Sequence, residues 1–463
     1  VIIGSDANSN HPVAASRMRR AVIEKGAKLI VINPRRIDMC DFADLWLRPR
    51  PGTDVALLNG IANVILDLGI EDRNFIDNRT EGFESWREVI EKYTPGYVES
   101  VTGVPSADIV RAAEMYACPP FSGSCLIWGM GITQHTMGTA NAHGLLNLSF
   151  VAGQLGKPGS GVSPLRGQNN VQGCGDAGCL PNAFPGYQTI APDTVEKFSR
   201  SWGNSKLPPE PGLVITDMVK AIDDGRMKAM YVTGENPLLS EPDLNHAEET
   251  FKKLEFLIVQ DIFLHETAEI ADVVLPACSF AEKDGTFTNS ERRVQRVRKV
   301  VKPIGESRPD WEIIAELGIR ISQRNDLGLE SQFTYESSSE IWDEMAALTP
   351  MLAGINYKRL DSGGIQWPCP SSDHPGTRYL YEKDFPRGDR AKFVGFEQGP
   401  AADEMPSKRF PLILNTGRIL YHWHGGTITR RAQGLLARSP ELQVSISTVD
   451  AEEYDIGDGD WLR

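Results

Sequence analysis

Short apolar runs and stretches of helical periodicity alternate along the start of the chain. The runs VII at the first residues and LIVI at 29–32 predict two buried strands. Between them, Pro12 favours the first turn of a helix and Gly26 favours its end. A strand, a helix and a second strand in this order predict a β-α-β unit, whose strands lie parallel and are joined by a right-handed crossover.

Polar residues follow each of these predicted strands. Ligands of parallel α/β sheets bind at the carboxyl ends of the strands. The candidate ligands at these ends are Ser5, Asp6, Asn33 and Arg35. For any one of them, ordinary turn chemistry is the alternative explanation.

A third predicted strand, LWL at 45–47, leads into a turn and a helix. Thr53 suits the N-cap, and apolar residues follow at helical spacing. Asp54 in the P-G-T-D turn is a candidate ligand, although a helix dipole by itself also favours an acid in the first turn. A further strand, CLIW at 125–128, ends in the sequence G-M-G, where glycines permit close approach of a ligand.

The alternation of strands and helices repeats in the second half of the chain. The runs KAMYVT, FLIVQD and ADVVLP predict three more strands, and Asn236, Gln260 and Asp261 follow or end two of them. We therefore expect an α/β protein with two dinucleotide-binding-like parallel-sheet domains. The predicted domains are 1–168, 169–405 with a connecting region, and a separate C-terminal unit at 406–463.

Two later segments predict β-structure of another kind. The alternation around Asp284 and Gly285 predicts a hairpin. A solvated basic face is the interpretation we favour for the arginines that follow, Arg292, Arg293, Arg296 and Arg298, because the chain is acidic overall. The run LIL at 412–414 predicts a strand that opens the C-terminal unit.

A glycine-rich loop at 156–181 separates the two predicted sheet domains. Unstructured loops longer than about 15 residues are uncommon in compact domains and are usually functional or disordered. The low charge of this loop favours function, and its amides at 168, 169, 170 and 172 suit a large polar cofactor. Arg166 is its only charged residue between Lys157 and Asp176, and a guanidinium fork fits a carboxylate. A surface arginine on a mobile loop is the alternative.

Composition and charge exclude several classes of function. The 463 residues are 41% hydrophobic and 24% charged, which is typical of a globular protein. The net charge of −14 argues against nucleic acid as a partner, and no apolar run reaches the roughly 18 residues of a membrane span. The seven cysteines form no C-x-x-C pair, so neither a zinc site nor a ferredoxin-type cluster is indicated. Their odd, scattered number favours a reducing, cytoplasmic compartment; a disulfide or metal pair at Cys174 and Cys179 is the alternative.

The string PLRGQNNVQG at 164–173 resembles the active-site loop of molybdenum- or tungsten-dependent formate dehydrogenase catalytic subunits, in the dimethyl sulfoxide reductase superfamily. The strings G-M-G-x-T-Q, G-E-N-P, Q-W-P-C-P and T-G-R-x-L-Y-H-W-H are similar to the same group, so the resemblance covers nearly the whole chain. It implies that formate is oxidised to CO2, or the reverse, at a bis-molybdopterin guanine dinucleotide centre holding Mo or W. It also implies that the C-terminal unit is the start of a β-barrel cap domain.

The resemblance assigns roles to particular residues. Arg166 would hold formate over the metal. One member of the family has Asp where this chain has Asn236, so a guanine contact there loses its charge. No metal ligand is assigned. Besides the four strand-end residues, the implied cofactor contacts are Asp54, Met130, Gly131, Gln134, Gln168, Asn236, Gln260, Asp261, Thr416, Arg418 and His422.

The family's catalytic subunit is longer at both ends than this chain. Its N-terminal part carries a [4Fe–4S] cluster and then a cysteine or selenocysteine that ligates the metal, and neither precedes Val1. We therefore expect an incomplete, inactive part of a subunit whose partners are formate or CO2 and electron-transfer subunits carrying iron–sulfur clusters or flavin. The alternatives are another molybdopterin oxidoreductase, such as a nitrate reductase, and a non-catalytic scaffold subunit. The complete loop string favours formate.

Overall fold

The computed structural model describes residues 1–117, 123–204, 207–385 and 388–462. Cys118 lies outside these ranges. The chain forms two compact units, Val1–Gly417 and Arg418–Arg463.

Five parallel strands form the first sheet, in the order β3-β2-β1-β4-β5. Their bounds are β1 Ile2–Ile3, β2 Ile30–Ile32, β3 Leu45–Leu47, β4 Cys125–Trp128 and β5 Gly161–Pro164. Ile3 and Ile2 pack into two different apolar clusters, so both faces of the central strand are covered. This arrangement explains why β1 and β2 are continuous apolar runs, and it confirms the predicted parallel sheet.

Helices cover this sheet, and one of them is buried along almost its whole length. Asp54–Asp67 is buried from Asp54 to Ile65. At Gly60 an added Cβ would lie 2.6 Å from Val98 Cγ2, so glycine permits the close packing of two helices. The helices of this half are Ala7–Asn10, Pro12–Lys25, Asp54–Asp67, Arg73–Arg79, Phe83–Ile90, Pro95–Thr102, Ser106–Ala117, Met130–Thr133 and Gly138–Val151, with a 3-10 turn at Asp38–Phe42.

A second parallel sheet of three strands confirms the repeated pattern. Its order is β8-β7-β6, with β6 Ala229–Thr233, β7 Phe256–Asp261 and β8 Val273–Pro276. Leu257 and Val259 of β7 pack with Phe251 in a core of their own. The helices of this half are Val171–Asp176, Pro192–Ser201, Ile215–Asp223, Pro237–Ser240, Leu244–Phe251, Glu266–Glu269, Asp310–Arg324, Ser338–Ala347 and Tyr357–Leu360, with 3-10 turns at Phe280–Glu282 and Glu330–Phe333.

The predicted hairpin is present, but its turn lies at 289–292 rather than at Asp284 and Gly285. Strands β9 Gly285–Thr288, β10 Arg293–Val297 and β11 Ile365–Gln366 form an antiparallel sheet. The solvated interpretation is wrong for two of the arginines. Arg292 donates to the carbonyl oxygens of Thr377 and Arg378 at 3.2 and 3.3 Å. Arg296 has a side chain only 14% exposed, stacked over the ring of Tyr357.

The segment 391–399 packs against helices of the first sheet, although it lies far along the chain. Its strand Ala391–Lys392 pairs in parallel with Thr80–Glu81. Phe393 is buried, and its ring lies 4.6 Å from that of Trp86. The remaining short pair joins Ala183–Phe184 to Gln188–Thr189.

The strand predicted over 412–414 is not formed, and the described residues 406–462 contain no β-strand. Leu412, Ile413 and Leu414 are exposed by 46%, 54% and 81%. An apolar run becomes a strand only when another strand pairs with its backbone, and in the described residues none does so here. The second unit contains the helices Gln433–Leu436 and Thr448–Glu453 and a 3-10 turn at Thr429–Arg431.

Among the described residues, no helix combines the length and the apolar character that a bilayer span requires.

Candidate functional site

Arg166 stands just beyond the carboxyl end of β5, and its backbone is fixed on both sides. Its N–H donates to Ser290 Oγ at 3.1 Å, and its carbonyl oxygen lies 2.6 Å from His11 Nε2. Its side-chain Nε donates to Gln172 Oε1 at 2.9 Å. In the part of the chain that the structure describes, no acceptor bonds the two terminal nitrogens of this exposed guanidinium. The arginine is therefore anchored by one edge, and its fork is available to an anion.

Gln172 connects Arg166 to a buried acid. Its Nε2 donates to Asp176 Oδ1 at 2.8 Å and to Tyr187 OH at 2.9 Å. The Tyr187 hydroxyl donates to the same carboxylate oxygen at 3.0 Å. Trp367 Nε1 donates to the other oxygen, Oδ2, at 2.7 Å. Because Gln172 and Asp176 are four residues apart on one helix, they share a face and form a rigid support for the arginine.

Burial shifts the pKa values of Asp176 and Tyr187. The pKa of Asp176 is raised because the carboxyl group is buried, and the donors Gln172, Tyr187 and Trp367 oppose this rise, as does the charge of Arg166. Burial and the neighbouring carboxylate raise the pKa of Tyr187 to about 12. The tyrosine therefore remains a hydrogen-bond donor at neutral pH.

At the carboxyl ends of β1 and β2 the predicted residues meet. Arg35 Nη2 pairs with Asp6 Oδ2 at 2.9 Å, and Asn33 Oδ1 accepts from the Arg35 N–H at 3.0 Å. An added Cβ on Gly417 would lie 3.3 Å from Arg35 Nη1, so Gly417 lies at this edge of the first sheet. The polar ends of two adjacent strands thus form one cluster, as the sheet order requires.

Buried polar atoms without a partner in the described chain collect next to this cluster. They are Ser5 Oγ, Asn8 Oδ1, Asn10 Oδ1 and His11 Nδ1. His11 Nε2 faces a carbonyl oxygen and so carries the ring proton, which leaves Nδ1 as an acceptor. Buried polar groups almost always have partners, so four such atoms within seven residues fit a polar ligand rich in donors.

The G-M-G turn places three predicted residues at the same end of the sheet. Gly131 N–H donates to Gly4 O at 3.0 Å, and an added Cβ on Gly131 would lie 2.6 Å from that oxygen. Glycine is therefore required by the packing of the two turns. Met130 and Gln134 present exposed side chains beside it.

Asp54 is buried at the start of its helix. Burial raises its pKa, and the charge of His135 opposes the rise. Thr53 makes no side-chain cap; its hydroxyl donates to Arg50 O at 2.7 Å. Gln398, from the segment 391–399, accepts from the N–H of Ala56 at 3.1 Å and caps the helix instead.

In the second sheet the predicted residues lie at the strand ends, but their side chains are bonded within the protein. Asn236 Nδ2 donates to Glu266 Oε2 at 2.7 Å. Gln260 is fully buried and donates to Asp310 Oδ1 at 2.7 Å. Asp261 Oδ1 accepts from the N–H of Ile262 at 2.6 Å. These three residues shape the turns at this edge.

The remaining predicted cofactor contacts are Thr416, Arg418, His422 and Gln168. Thr416 is exposed. In the second unit, Arg418 stacks over Trp423 at 4.8 Å, and burial lowers its pKa. His422 Nε2 faces the carbonyl oxygen of Ser439 at 2.6 Å, and its Nδ1 lies 3.2 Å from Thr429 Oγ1. Both ring nitrogens of His422 are thus engaged within the unit. Gln168, in the first unit, is exposed in the loop.

Several residues of the site carry no individual sequence pattern. Asp176, Tyr187 and Trp367 support Arg166 through Gln172, and His11 and Ser290 hold its backbone. The Q-x-x-x-D spacing at 172–176 was the one available pattern, because it places both side chains on one helical face. Trp367 lies in the Q-W-P-C-P string, which sequence alone left without a role.

Comparison with known proteins defines the class of this chain. The family model described as Molybdopterin oxidoreductase matches residues 1–320, and the one described as Molydopterin dinucleotide binding domain matches residues 412–463. The chain belongs to the molybdopterin oxidoreductase family.

Several relatives are named formate dehydrogenases. The chain is 45% identical to the F420-dependent formate dehydrogenase subunit alpha of Methanocaldococcus jannaschii, over 100% of this chain and 67% of the relative. It is 37% identical to formate dehydrogenase H of Escherichia coli K12, over 99% and 63%. The chain thus spans about two thirds of the length of these relatives. The acetylene hydratase of Pelobacter acetylenicus shares the fold, with a TM-score of 0.74, 20% identity and coverage of 99% of this chain and 66% of that chain.

The residues present fit a molybdopterin cofactor. The orphaned acceptors Asn8 Oδ1, Asn10 Oδ1 and His11 Nδ1 suit the many N–H groups of a pterin or guanine. The described residues contain no group of three or more His, Cys, Asp and Glu side chains arranged to hold a metal ion.

Proposed function

We propose that this chain is part of a formate dehydrogenase catalytic subunit, which oxidises formate to CO2 or runs the reverse reaction. The observation that carries the proposal is the anchored guanidinium of Arg166, whose terminal nitrogens have no acceptor in the described residues. A planar fork with two donors on one side matches a carboxylate. The formate dehydrogenases among the relatives support this choice of anion.

Arg166 would bind both oxygens of formate and leave the C–H bond pointing away from the protein fork. Gln172, held by Asp176 and Tyr187, would keep the guanidinium in that orientation during turnover. Fixing the reacting bond in this way lowers the entropic part of the barrier. The cofactor, when bound, supplies the two-electron redox chemistry.

For the cofactor we propose a bis-molybdopterin guanine dinucleotide that carries Mo or W. Residues of the first sheet would bind it through the orphaned polar atoms and the cluster of Asp6, Asn33 and Arg35. The turns that contain Asn236 and Asp261 would bind at the second sheet, with backbone groups as the contacts because the side chains are engaged. The segment around Thr416 and the second unit, with Arg418 and His422, would contribute further contacts.

We also propose the route of the electrons and the compartment. A [4Fe–4S] cluster outside the present 463 residues, and partner subunits with iron–sulfur clusters or flavin, would receive the electrons. The relative named as a subunit alpha supports the presence of further subunits. The six described cysteines are free thiols, which supports a reducing, cytoplasmic location.

The direct test uses the full-length subunit, purified without oxygen and assayed with an artificial electron acceptor. We expect formate to reduce the acceptor. In a parallel assay with a reduced dye as donor, we expect nitrate to cause no oxidation. Nitrate turnover without formate turnover would overturn the substrate, and a protein that contains neither Mo nor W would overturn the catalytic proposal.

A further inference from the structure

Two cysteines meet at the end of the helix Val171–Asp176. The Cys179 N–H donates to Cys174 O at 3.1 Å, and the Gly178 N–H donates to Gly175 O at 3.1 Å. Gly178 has φ of 85°. This pair of bonds with a left-handed glycine defines a Schellman motif, which brings the residues on the two sides of the cap next to each other. Here both of those side chains are thiols.

Both thiols are accessible. Cys174 and Cys179 are exposed, and neither is in a disulfide. They line a cavity of about 530 Å³, whose other walls include Trp311 and Trp342. A small disulfide molecule therefore has room to reach either sulfur.

The two thiols differ in acidity because they are hydrogen-bonded to each other. This bond lowers the pKa of Cys179 to about 6, and the bond together with burial raises the pKa of Cys174. Cys179 is therefore the more acidic of the two thiols, and it is the one that supplies the thiolate. A thiolate is the nucleophile in thiol–disulfide exchange.

We propose that Cys174 and Cys179 form a redox-active dithiol, which exchanges with low-molecular-weight disulfides of the glutathione type and closes to an intramolecular disulfide. The Cys179 thiolate attacks one sulfur of the small disulfide, forms a mixed disulfide and expels one small thiolate. Cys174 then loses its proton to solvent and attacks Cys179 Sγ, which expels the second small thiolate. Counted from the dithiol form, the protein loses two electrons and two protons to its surroundings. The small disulfide gains the two electrons, and its two thiolates take up protons from solvent to become two thiols.

The position of the pair links it to the arginine support. Asp176, which accepts from Gln172 and Trp367, lies between the two cysteines in sequence. A disulfide would close a small ring around the helix end that carries this acid. The disulfide form therefore constrains the position of Asp176, which contacts Arg166 through Gln172.

The test measures the oxidation state directly and needs no activity. The full-length protein is equilibrated at neutral pH in glutathione buffers of increasing oxidising strength, quenched with acid, alkylated and digested with trypsin. The peptide 167–197 contains both cysteines and no other. In reducing buffers we expect the peptide to be doubly alkylated. In oxidising buffers we expect it to be unalkylated and two hydrogen atoms lighter than the peptide with two free thiols, without a lasting glutathione adduct.

Single variants separate the two steps. Cys174→Ser should accumulate a glutathione adduct on Cys179, because no second thiol resolves it. Cys179→Ser should react slowly at Cys174, at a rate near that of half-buried Cys40, whose pKa burial raises. A wild-type peptide that stays doubly alkylated in every buffer, or that ends as a stable glutathione adduct, would overturn the proposal.

Discussion

Arg166 Nε and Gln172 Oε1 are joined by a 2.9 Å hydrogen bond, and Gln172 is itself held by Asp176 and Tyr187. The amide of Gln172 is therefore engaged by the protein, and we expect it to orient the arginine rather than to bind the substrate. It determines where the guanidinium points. This distinction separates two kinds of residue in the loop, one that binds the anion and one that orients the binder.

The first prediction concerns Gln172. Gln172→Leu keeps the approximate volume but removes the acceptor for Arg166 and the donors to Asp176 and Tyr187. We expect the KM for formate to rise about tenfold, equal to about 1.4 kcal/mol, with a smaller change in kcat. The measurement is steady-state kinetics of the full-length enzyme. Gln323→Leu, at an exposed position on the helix Asp310–Arg324, is the control and should leave both constants unchanged. A normal KM for formate in the Gln172→Leu enzyme would show that Gln172 does not position Arg166.

The second prediction concerns Trp367. Trp367→Phe removes the donor to Asp176 Oδ2 and leaves that buried oxygen without a partner. A buried acceptor without a partner costs about 1–3 kcal/mol, so the free energy of unfolding should fall by that amount. Urea unfolding followed by circular dichroism measures it. Trp128→Phe is the matched control, because Trp128 Nε1 has no hydrogen-bond partner in the described residues. Equal losses in the two variants would show that the bond contributes nothing beyond packing.

The third prediction concerns the pH dependence of stability. Burial raises the pKa of Asp54 above its ordinary value of 3.8, so between these two pKa values the folded chain holds a proton that the unfolded chain has released. The free energy of unfolding contributed by Asp54 therefore falls as pH rises from 3.8 through the raised pKa. Asp54→Asn should reduce this fall. Urea unfolding of the cofactor-free protein at a series of pH values tests it, and parallel pH curves for the two proteins would contradict the assignment.

The fourth prediction concerns the segment 391–399. Phe393 is buried against the rings of Trp86 and Phe150, so Phe393→Ala should lower the free energy of unfolding by about 3–5 kcal/mol. Phe410→Ala removes a ring that is 67% exposed and should have little effect. Urea midpoints measure both. Similar midpoints for the two variants would mean that the segment is not part of the core of the first sheet.

The sequence predicted the parts of the fold that depend on local pattern. Apolar runs such as LIVI, bounded by glycine and proline, predicted both parallel sheets, because buried parallel strands have no polar face. Pairing between distant segments left no such pattern. Phe393 looks like any aromatic residue in a polar region, and its place beside Trp86 depends on contacts more than 300 residues apart in sequence. The apolar run 412–414 shows the limit of local pattern, because it predicted a strand and no segment among the described residues pairs with its backbone.

The candidate site also contains residues that the sequence singled out and residues whose contacts it could not predict. Arg166 could be singled out because one charge stands alone in a long glycine-rich loop, but its role in binding formate came from the family resemblance and remains a prediction. The positions of Asp6, Asn33 and Arg35 followed from the order of the strands. The burial of Gln260 and the hydrogen bonds of Asn236 were not predictable, because a polar residue at a strand end has the same appearance whether it bonds to the protein or to a ligand. The roles of the predicted cofactor contacts remain predictions.

The most direct test of the central claim is the KM for formate of an Arg166→Lys enzyme, compared with wild type and with Arg200→Lys, an exposed arginine on the helix Pro192–Ser201. Lysine keeps the charge but loses the planar fork and the Nε bond to Gln172. We predict that the KM rises by about 10- to 100-fold, as expected for the loss of a charge-assisted hydrogen bond worth about 1.5–3 kcal/mol, while Arg200→Lys behaves as wild type. Wild-type KM and kcat in the Arg166→Lys enzyme would contradict the assignment of Arg166 as the residue that binds formate.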